Sequence, residues 1–141
     1  MPHIENSEVV KHVLNTLINM SGRKTNTEYA VSTMNNLIKN LKMKYSFLKN
    51  VDIKDTRFLE LSEPVTVMSD IDKINSADIG KALYDIIKTM NVALGKNAGY
   101  FFIKEFRNNV GDNYYSVMQE MGIDLGLLQL EFEVSEMTKK L

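Results

Sequence analysis

The chain has 141 residues, 44% of them hydrophobic and 25% charged, which is an ordinary globular composition, and we expect residues 1–141 to form a single domain. Because it contains no cysteine, disulfides and thiolate metal sites are excluded and a reducing compartment is favoured. No apolar run is long enough to span a membrane and no secretion signal opens the chain, so we expect a soluble cytoplasmic protein with no membrane partner.

The net charge of −1 conceals a gradient along the chain. Residues 1–54 carry eight basic and four acidic side chains, whereas residues 112–141 carry two basic and six acidic ones. We expect these oppositely charged ends to pack together, within one molecule or between two subunits. The alternative is a basic patch that binds nucleic acid or an acidic partner. Its candidate residues are Arg23, Lys24, Lys39 and Lys42, with Lys44 and Lys49 nearby.

Two helices are predicted at the start of the chain. The first begins at Asn6 or Ser7, follows the three-then-four spacing of an amphipathic helix, and ends at Gly22. His12 falls on the face opposite the apolar residues, so we expect this side chain in solvent. The second helix opens with a capping box formed by Thr25 and Glu28. Its buried face is predicted to consist of Ala30, Met34, Leu37, Ile38, Leu41 and Tyr45.

The longest helical pattern covers residues 76–110. Apolar side chains recur there at every fourth position, namely Ile86, Met90, Leu94, Ala98, Phe102, Phe106 and Val110. Such a row must be covered, so we expect a central helix, long or kinked near Gly95 and Gly99, on which the other elements pack. A short helix follows over residues 112–121 and ends at Gly122.

The remaining patterned segments predict a small antiparallel sheet. Residues 51–68 alternate in polarity or are rich in β-branched side chains, with turn residues between them. Residues 128–134 alternate between apolar and polar, which predicts a C-terminal strand over about 127–134 with Glu131 and Glu133 on one solvated face. The predicted fold class is therefore α+β, with an N-terminal helix pair, this sheet, the central helix and the short helix.

No pattern carries a recognisable chemistry. Residues 69–72 hold two aspartates at the spacing of a calcium loop, but Asn75 stands where that loop needs glycine and Lys81 where it needs glutamate. The only histidines are His3, near the terminus, and His12. We therefore predict no catalytic residue, no metal site, no cofactor and no cofactor-binding residue, and a non-enzymatic role is favoured over an enzymatic one.

A pattern of spaced glycines extends from the predicted central helix to the C-terminal segment. It comprises Leu94-Gly95 to Gly99, then Phe106, then Gly122-Ile123-Asp124 leading into the predicted strand. This pattern, over about a third of the chain, resembles small ligand-sensing domains of the vinyl-reductase type. The resemblance implies an α+β fold that is often dimeric. It transfers no site residue, since this chain has no cysteine or histidine at the ligand-holding places.

Three functions follow from these features. A regulatory or protein-interaction domain that forms a homodimer is favoured, because nine Met, six Phe and six Tyr provide adaptable apolar contacts. The second is a small-molecule sensor with an apolar pocket between residues 100–106 and the sheet. The third, nucleic-acid binding, is least favoured, because the second helix lacks base-reading residues near its start. The candidate pocket or interface residues are Gly99, Tyr100, Phe102, Phe106, Tyr114 and Met118.

Overall fold

The computed structural model describes residues 4–24, 26–53, 65–98 and 102–139. This part of the chain is mostly helical, with one small antiparallel sheet, so the α+β prediction holds only in broad terms. The elements are α1 (Asn6–Lys24), α2 (Thr27–Leu41), β1 (Val51–Ile53), β2 (Val65–Val67), α3 (Ser76–Ala98), α4 (Phe102–Val110), α5 (Asp112–Glu120) and α6 (Leu125–Lys139), with 3-10 turns at Ser46–Asn50 and Ser69–Lys73.

The predicted N-terminal helix pair is confirmed, and its first helix is the centre of the fold. Helix α1 packs against α2, α3, α4, α5 and β2. Its apolar stripe is buried throughout, at Val9, Val10, Val13, Leu14, Leu17 and Ile18. The helix continues past Gly22, where we expected it to end, as far as Lys24. Helix α2 is capped by Asn26, whose side chain accepts a hydrogen bond from the Tyr29 amide at 2.8 Å; the predicted cap, Thr25, lies outside the described residues.

The sheet consists of two three-residue strands that lie on the α1–α2 pair. Strands β1 and β2 run antiparallel with Asp52 opposite Thr66 at the centre, and they contact α2 and α1 respectively. The Asn15 side chain of α1 accepts a hydrogen bond from the Val65 amide at 3.2 Å, which fixes the position of β2. The predicted strand residues between 54 and 64 lie outside the described part of the chain.

The predicted central segment, residues 76–110, contains two described helices, α3 and α4, with residues 99–101 between them outside the description. The every-fourth row is buried wherever its side chains are described, at Ile86, Met90, Phe102, Phe106 and Val110. The row is therefore a core feature as expected. It packs, however, against α1, which takes the central position that we had assigned to residues 76–110.

The predicted C-terminal strand at residues 127–134 is wrong, because this segment belongs to helix α6. Asp124 caps the helix by accepting a hydrogen bond from the Leu127 amide at 2.9 Å. Leu, Gln and Glu, which fill most of the segment, are strong helix formers. The apolar–polar alternation arises because α6 carries apolar residues on two different faces. The same correction separates the two carboxylates that we placed together, since Glu131 bonds to α3 and Glu133 to Gln129 within α6.

Candidate functional site

The position of α6 is set by a close backbone contact between α3 and the turn that precedes α6. Gly80 of α3 lies against the Met121 carbonyl group, so closely that a Cβ atom at position 80 would collide with the carbonyl oxygen. Gly122 follows with a φ of +93°, a conformation that favours glycine. It closes α5, and the Ile123 amide donates to the Met118 carbonyl at 3.0 Å. Two glycines thus determine where α6 begins.

A hydrogen bond and an ion pair to α3 hold one flank of α6. The Tyr84 hydroxyl donates to Glu131 Oε2 at 2.8 Å, and Lys88 Nζ lies 3.7 Å from the same oxygen. Burial raises the pKa of Tyr84 to about 12, because it disfavours the phenolate, and the hydrogen bond to the Glu131 carboxylate acts in the same direction. The phenol therefore remains a hydrogen-bond donor at all moderate pH values.

The opposite sides of α6 differ in exposure although both are apolar. Leu125 and Leu128 face the core and are buried. On the outward side, Leu127, Leu130 and Val134 are 47%, 55% and 53% exposed. At 100° per residue these three lie in one row, which we call the α6 stripe. In the sequence, apolar residues continue at the same three-then-four spacing at Met137 and Leu141.

A groove of about 950 Å³ borders the stripe on the α3 side. Leu127 lines it, together with α3 residues and residues 44–47 from the opposite wall. Asp85 of α3 accepts hydrogen bonds from the Tyr45 hydroxyl at 2.6 Å and from Lys44 Nζ at 3.1 Å, which links α3 to residues 44–45. The Asp85 hydrogen bond raises the pKa of Lys44. Burial is the main cause that raises the pKa of Tyr45, with Asp85 adding to it. Lys44, Tyr45 and Asp85 thus form a hydrogen-bonded cluster in the groove that borders the α6 stripe.

The described residues that were predicted to form a pocket or interface lie in the core or against α1, and not along the α6 stripe. Phe102, Phe106 and Met118 are fully buried in the core, while Gly99 and Tyr100 lie outside the described residues. The sixth residue, Tyr114, is half-buried and stacks on a histidine of α1.

The α6 stripe was not anticipated. Its signal in the sequence is the run Leu127, Leu130, Val134, Met137 and Leu141, which the alternation of neighbouring residues obscured.

The histidine that stacks on Tyr114 is His12, and the expectation that its side chain is solvated is wrong. Its ring stacks on Tyr114 with centroids 3.9 Å apart, and its Nε2 lies 2.8 Å from the Val110 carbonyl oxygen. The reason is that α4 and α5 pack against α1 and bring Val110 and Tyr114 to the side of the helix on which His12 lies. His12 therefore joins α1 to the α4–α5 junction.

The candidate basic residues lie on two helices. Arg23 is exposed in the last turn of α1, and Lys39 and Lys42 are exposed at the end of α2. At 1.5 Å per residue, helix α2 rises by about 18 Å between Thr27 and Lys39. The side chain of Lys24 lies outside the described residues.

The described side chains offer no metal site, since no three His, Asp or Glu residues among them converge to hold an ion. Over the same ranges, no helix has the length and apolar character needed to cross a membrane. The residues that carry the resemblance to vinyl-reductase-type domains lead into helix α6 and not into a strand. Comparison of the chain with protein-family models, curated proteins and solved structures finds no significant match.

Proposed function

We propose that this chain is a non-enzymatic, cytoplasmic protein-interaction domain that forms a homodimer through the α6 stripe. The observation that carries the proposal is the row formed by Leu127, Leu130 and Val134, which is about half exposed. Helix α6 is held to the body of the protein by its buried face and by the hydrogen bond from Tyr84 to Glu131. Apolar side chains gain free energy when they leave water, and a contiguous row gains more than scattered residues do.

The spacing of the stripe indicates the kind of partner. Apolar residues at 127, 130, 134, 137 and 141 follow the alternating three-and-four repeat of a coiled-coil seam. That repeat matches a second helix, because only another helix offers holes at the same spacing. A second copy of α6 supplies such a helix in every molecule, and twofold symmetry makes the same surface complementary to itself. The methionine content gives no support to this interface, since five of the nine methionines are buried in the core.

The energetic contribution of one stripe residue can be estimated. A leucine that passes from half exposed to buried contributes about 1 kcal/mol. Leu130→Glu removes this contribution from both copies, or about 2 kcal/mol per dimer, and it adds a carboxylate on each side of the seam. We expect the dimer dissociation constant to rise by about 30-fold or more.

Sedimentation velocity over a wide range of protein concentration tests the proposal. The wild type should move from monomer to dimer as concentration rises, and Leu130→Glu should remain monomeric over most of that range. Met43→Glu is the matched control, since Met43 is 95% exposed in the turn after α2 and the substitution adds the same charge. A monomeric wild type, or an equal loss of dimer in both variants, would contradict the proposal.

A further inference from the structure

A cleft of about 380 Å³ lies between α4, α5 and α6, on the flank of α6 that faces away from Tyr84. This volume is within the usual range of small-molecule sites in proteins. The cleft is distinct from the α6 stripe, and it reaches the edge of the core at Leu125. Its lining residues are Ile103, Lys104, Arg107, Tyr115, Leu125, Gly126, Gln129 and Glu133.

The inner part of this cleft is apolar. Ile103 of α4 and Leu125 of α6 form its floor, and each is 3% exposed. Gly126 lies beside Leu125 and has no side chain to fill the space, so a ligand can approach the backbone of α6 directly. Tyr115 of α5 is half-buried and provides an aromatic wall. A flat ring or short chain suits these surfaces better than a strongly hydrated group does.

The outer part of the cleft carries two cations on one wall. Lys104 and Arg107 are three residues apart on α4 and so lie on the same side of that helix. The guanidinium carbon of Arg107 lies 4.4 Å from the centroid of the Tyr115 ring, which holds the group at the edge of the cleft. On the opposite wall, Glu133 accepts a hydrogen bond from Gln129 at 3.1 Å.

Arg107 can exchange its present partner for a ligand. Its Nη1 lies 3.2 Å from Asp112 Oδ1, but the Asp112 side chain is 89% exposed. Solvent screens such a surface ion pair, which therefore adds little stability. A ligand whose apolar part occupies the inner cleft brings its anionic group to the guanidinium at the edge, and a hydrogen bond between two charged groups is stronger than one between neutral groups.

We propose that this cleft binds a small amphipathic monoanion, with its apolar ring or chain on Ile103 and Leu125 and its carboxylate or sulfonate on Arg107. A single negative charge fits better than several, because Glu133 stands across the cleft and repels additional anionic groups. This site is independent of dimer formation through the α6 stripe, so either can fail without the other.

Backbone amide NMR titration with naphthoate, an aromatic monocarboxylate, provides the test, with naphthamide as its neutral analogue. At the efficiency typical of small ligands we expect a dissociation constant for naphthoate of about 1 mM. The largest shifts should fall on α4, on the start of α6 and around Tyr115. Naphthamide should bind more weakly, because it lacks the charge that Arg107 recognises.

Two variants and a control separate this site from incidental binding. Arg107→Gln should weaken naphthoate binding by about tenfold and leave naphthamide binding unchanged. Arg23→Gln, which removes the same charge from an exposed residue at the end of α1, should have no effect. Gly126→Leu places a side chain at the lining of the cleft, with its Cβ 3.3 Å from Asp124 Oδ1, and should abolish binding of both compounds. No shifts in the wild type, equal affinity for the two compounds, an equal effect of the two arginine variants, or binding that survives Gly126→Leu would each overturn the proposal.

Discussion

Replacing Gly80 by alanine perturbs the contact that places α6. In most helices this substitution increases the free energy of unfolding by about 1 kcal/mol, because glycine is the more flexible residue. Here the added methyl group would collide with the Met121 carbonyl oxygen and lie 3.0 Å from the carbonyl carbon. Both neighbours are backbone atoms, so no side-chain rotation relieves the clash. Helix α3 and the turn before α6 must move apart.

The expected loss in the free energy of unfolding follows from the cost of overpacking. Forced insertion of a methyl group into a packed contact costs about 1–3 kcal/mol, and a rigid backbone neighbour favours the upper part of that range. Separation of the turn from α3 also loosens Met121 and Ile123, which are 6% and 1% exposed. After subtraction of the helix-propensity gain, we expect Gly80→Ala to lower the free energy of unfolding by about 2 kcal/mol.

Urea denaturation followed by circular dichroism measures this change, with a lower midpoint and an unchanged slope expected. Gly22→Ala is the matched control, because a Cβ at Gly22 of α1 would meet Thr27 at 3.6 Å, an ordinary contact. The control should be as stable as the wild type or more stable. If Gly80→Ala also proved neutral or stabilising, the close approach of α3 to the turn, and with it the placement of α6, would be refuted.

Two further substitutions test the contacts around the core and α6. Tyr84→Phe removes the donor to Glu131 and should lower stability by about 1 kcal/mol. Since the pKa of Tyr84 is raised from 10.0 to about 12 in the folded state, its stabilisation is complete below pH 10 and is lost as pH rises towards 12. The wild type should therefore lose stability more steeply over this pH range than Tyr84→Phe does. The control Tyr29→Phe, at an exposed position, should follow the wild type. Parallel curves of stability against pH for all three proteins would exclude this stabilising role of the Tyr84 hydroxyl. Asn15→Ala leaves the Val65 amide without its acceptor in a buried position, so thermal denaturation should show a loss of about 1–3 kcal/mol, and an unchanged transition would argue against the hydrogen bond.

The helical part of the fold is largely predictable from the sequence. The apolar rows of α1, α2 and residues 76–110 are long and have a single period, so burial of one face follows from the spacing alone. Glycine at 122 marks the end of α5 for a similarly local reason, since its positive φ closes that helix. These features depend on short-range geometry, which the sequence contains in full.

The features that escaped prediction depend on tertiary contacts. His12 lies opposite the apolar stripe of α1, and the packing of α4 and α5 on that side half-buries it. The contact of Gly80 with the Met121 carbonyl joins residues about forty positions apart, so neither residue signals it locally. A lone helical glycine was therefore the only trace of the contact in the sequence.

The strand prediction for the α6 segment failed for a different reason. Seven residues, from Leu128 to Val134, alternate in polarity as a strand does, and periodicity over so short a window does not separate strand from helix. A helix with apolar residues on both its inward and outward sides produces the same alternation. The Asp124 cap and the heptad spacing that continues to Leu141 are the signals that favour the helix. The misassigned pattern therefore contained the candidate interface.

Site-directed cross-linking at position 130 tests whether two copies of the protein meet at α6. The chain contains no cysteine, so Leu130→Cys introduces a single thiol at the middle of the α6 stripe, and Met43→Cys introduces one at an exposed position elsewhere. With a short bifunctional maleimide, we expect rapid formation of a covalent dimer by Leu130→Cys and little by Met43→Cys. Equal yields from the two variants, or no dimer from Leu130→Cys, would contradict the assignment of α6 as the surface through which this protein associates.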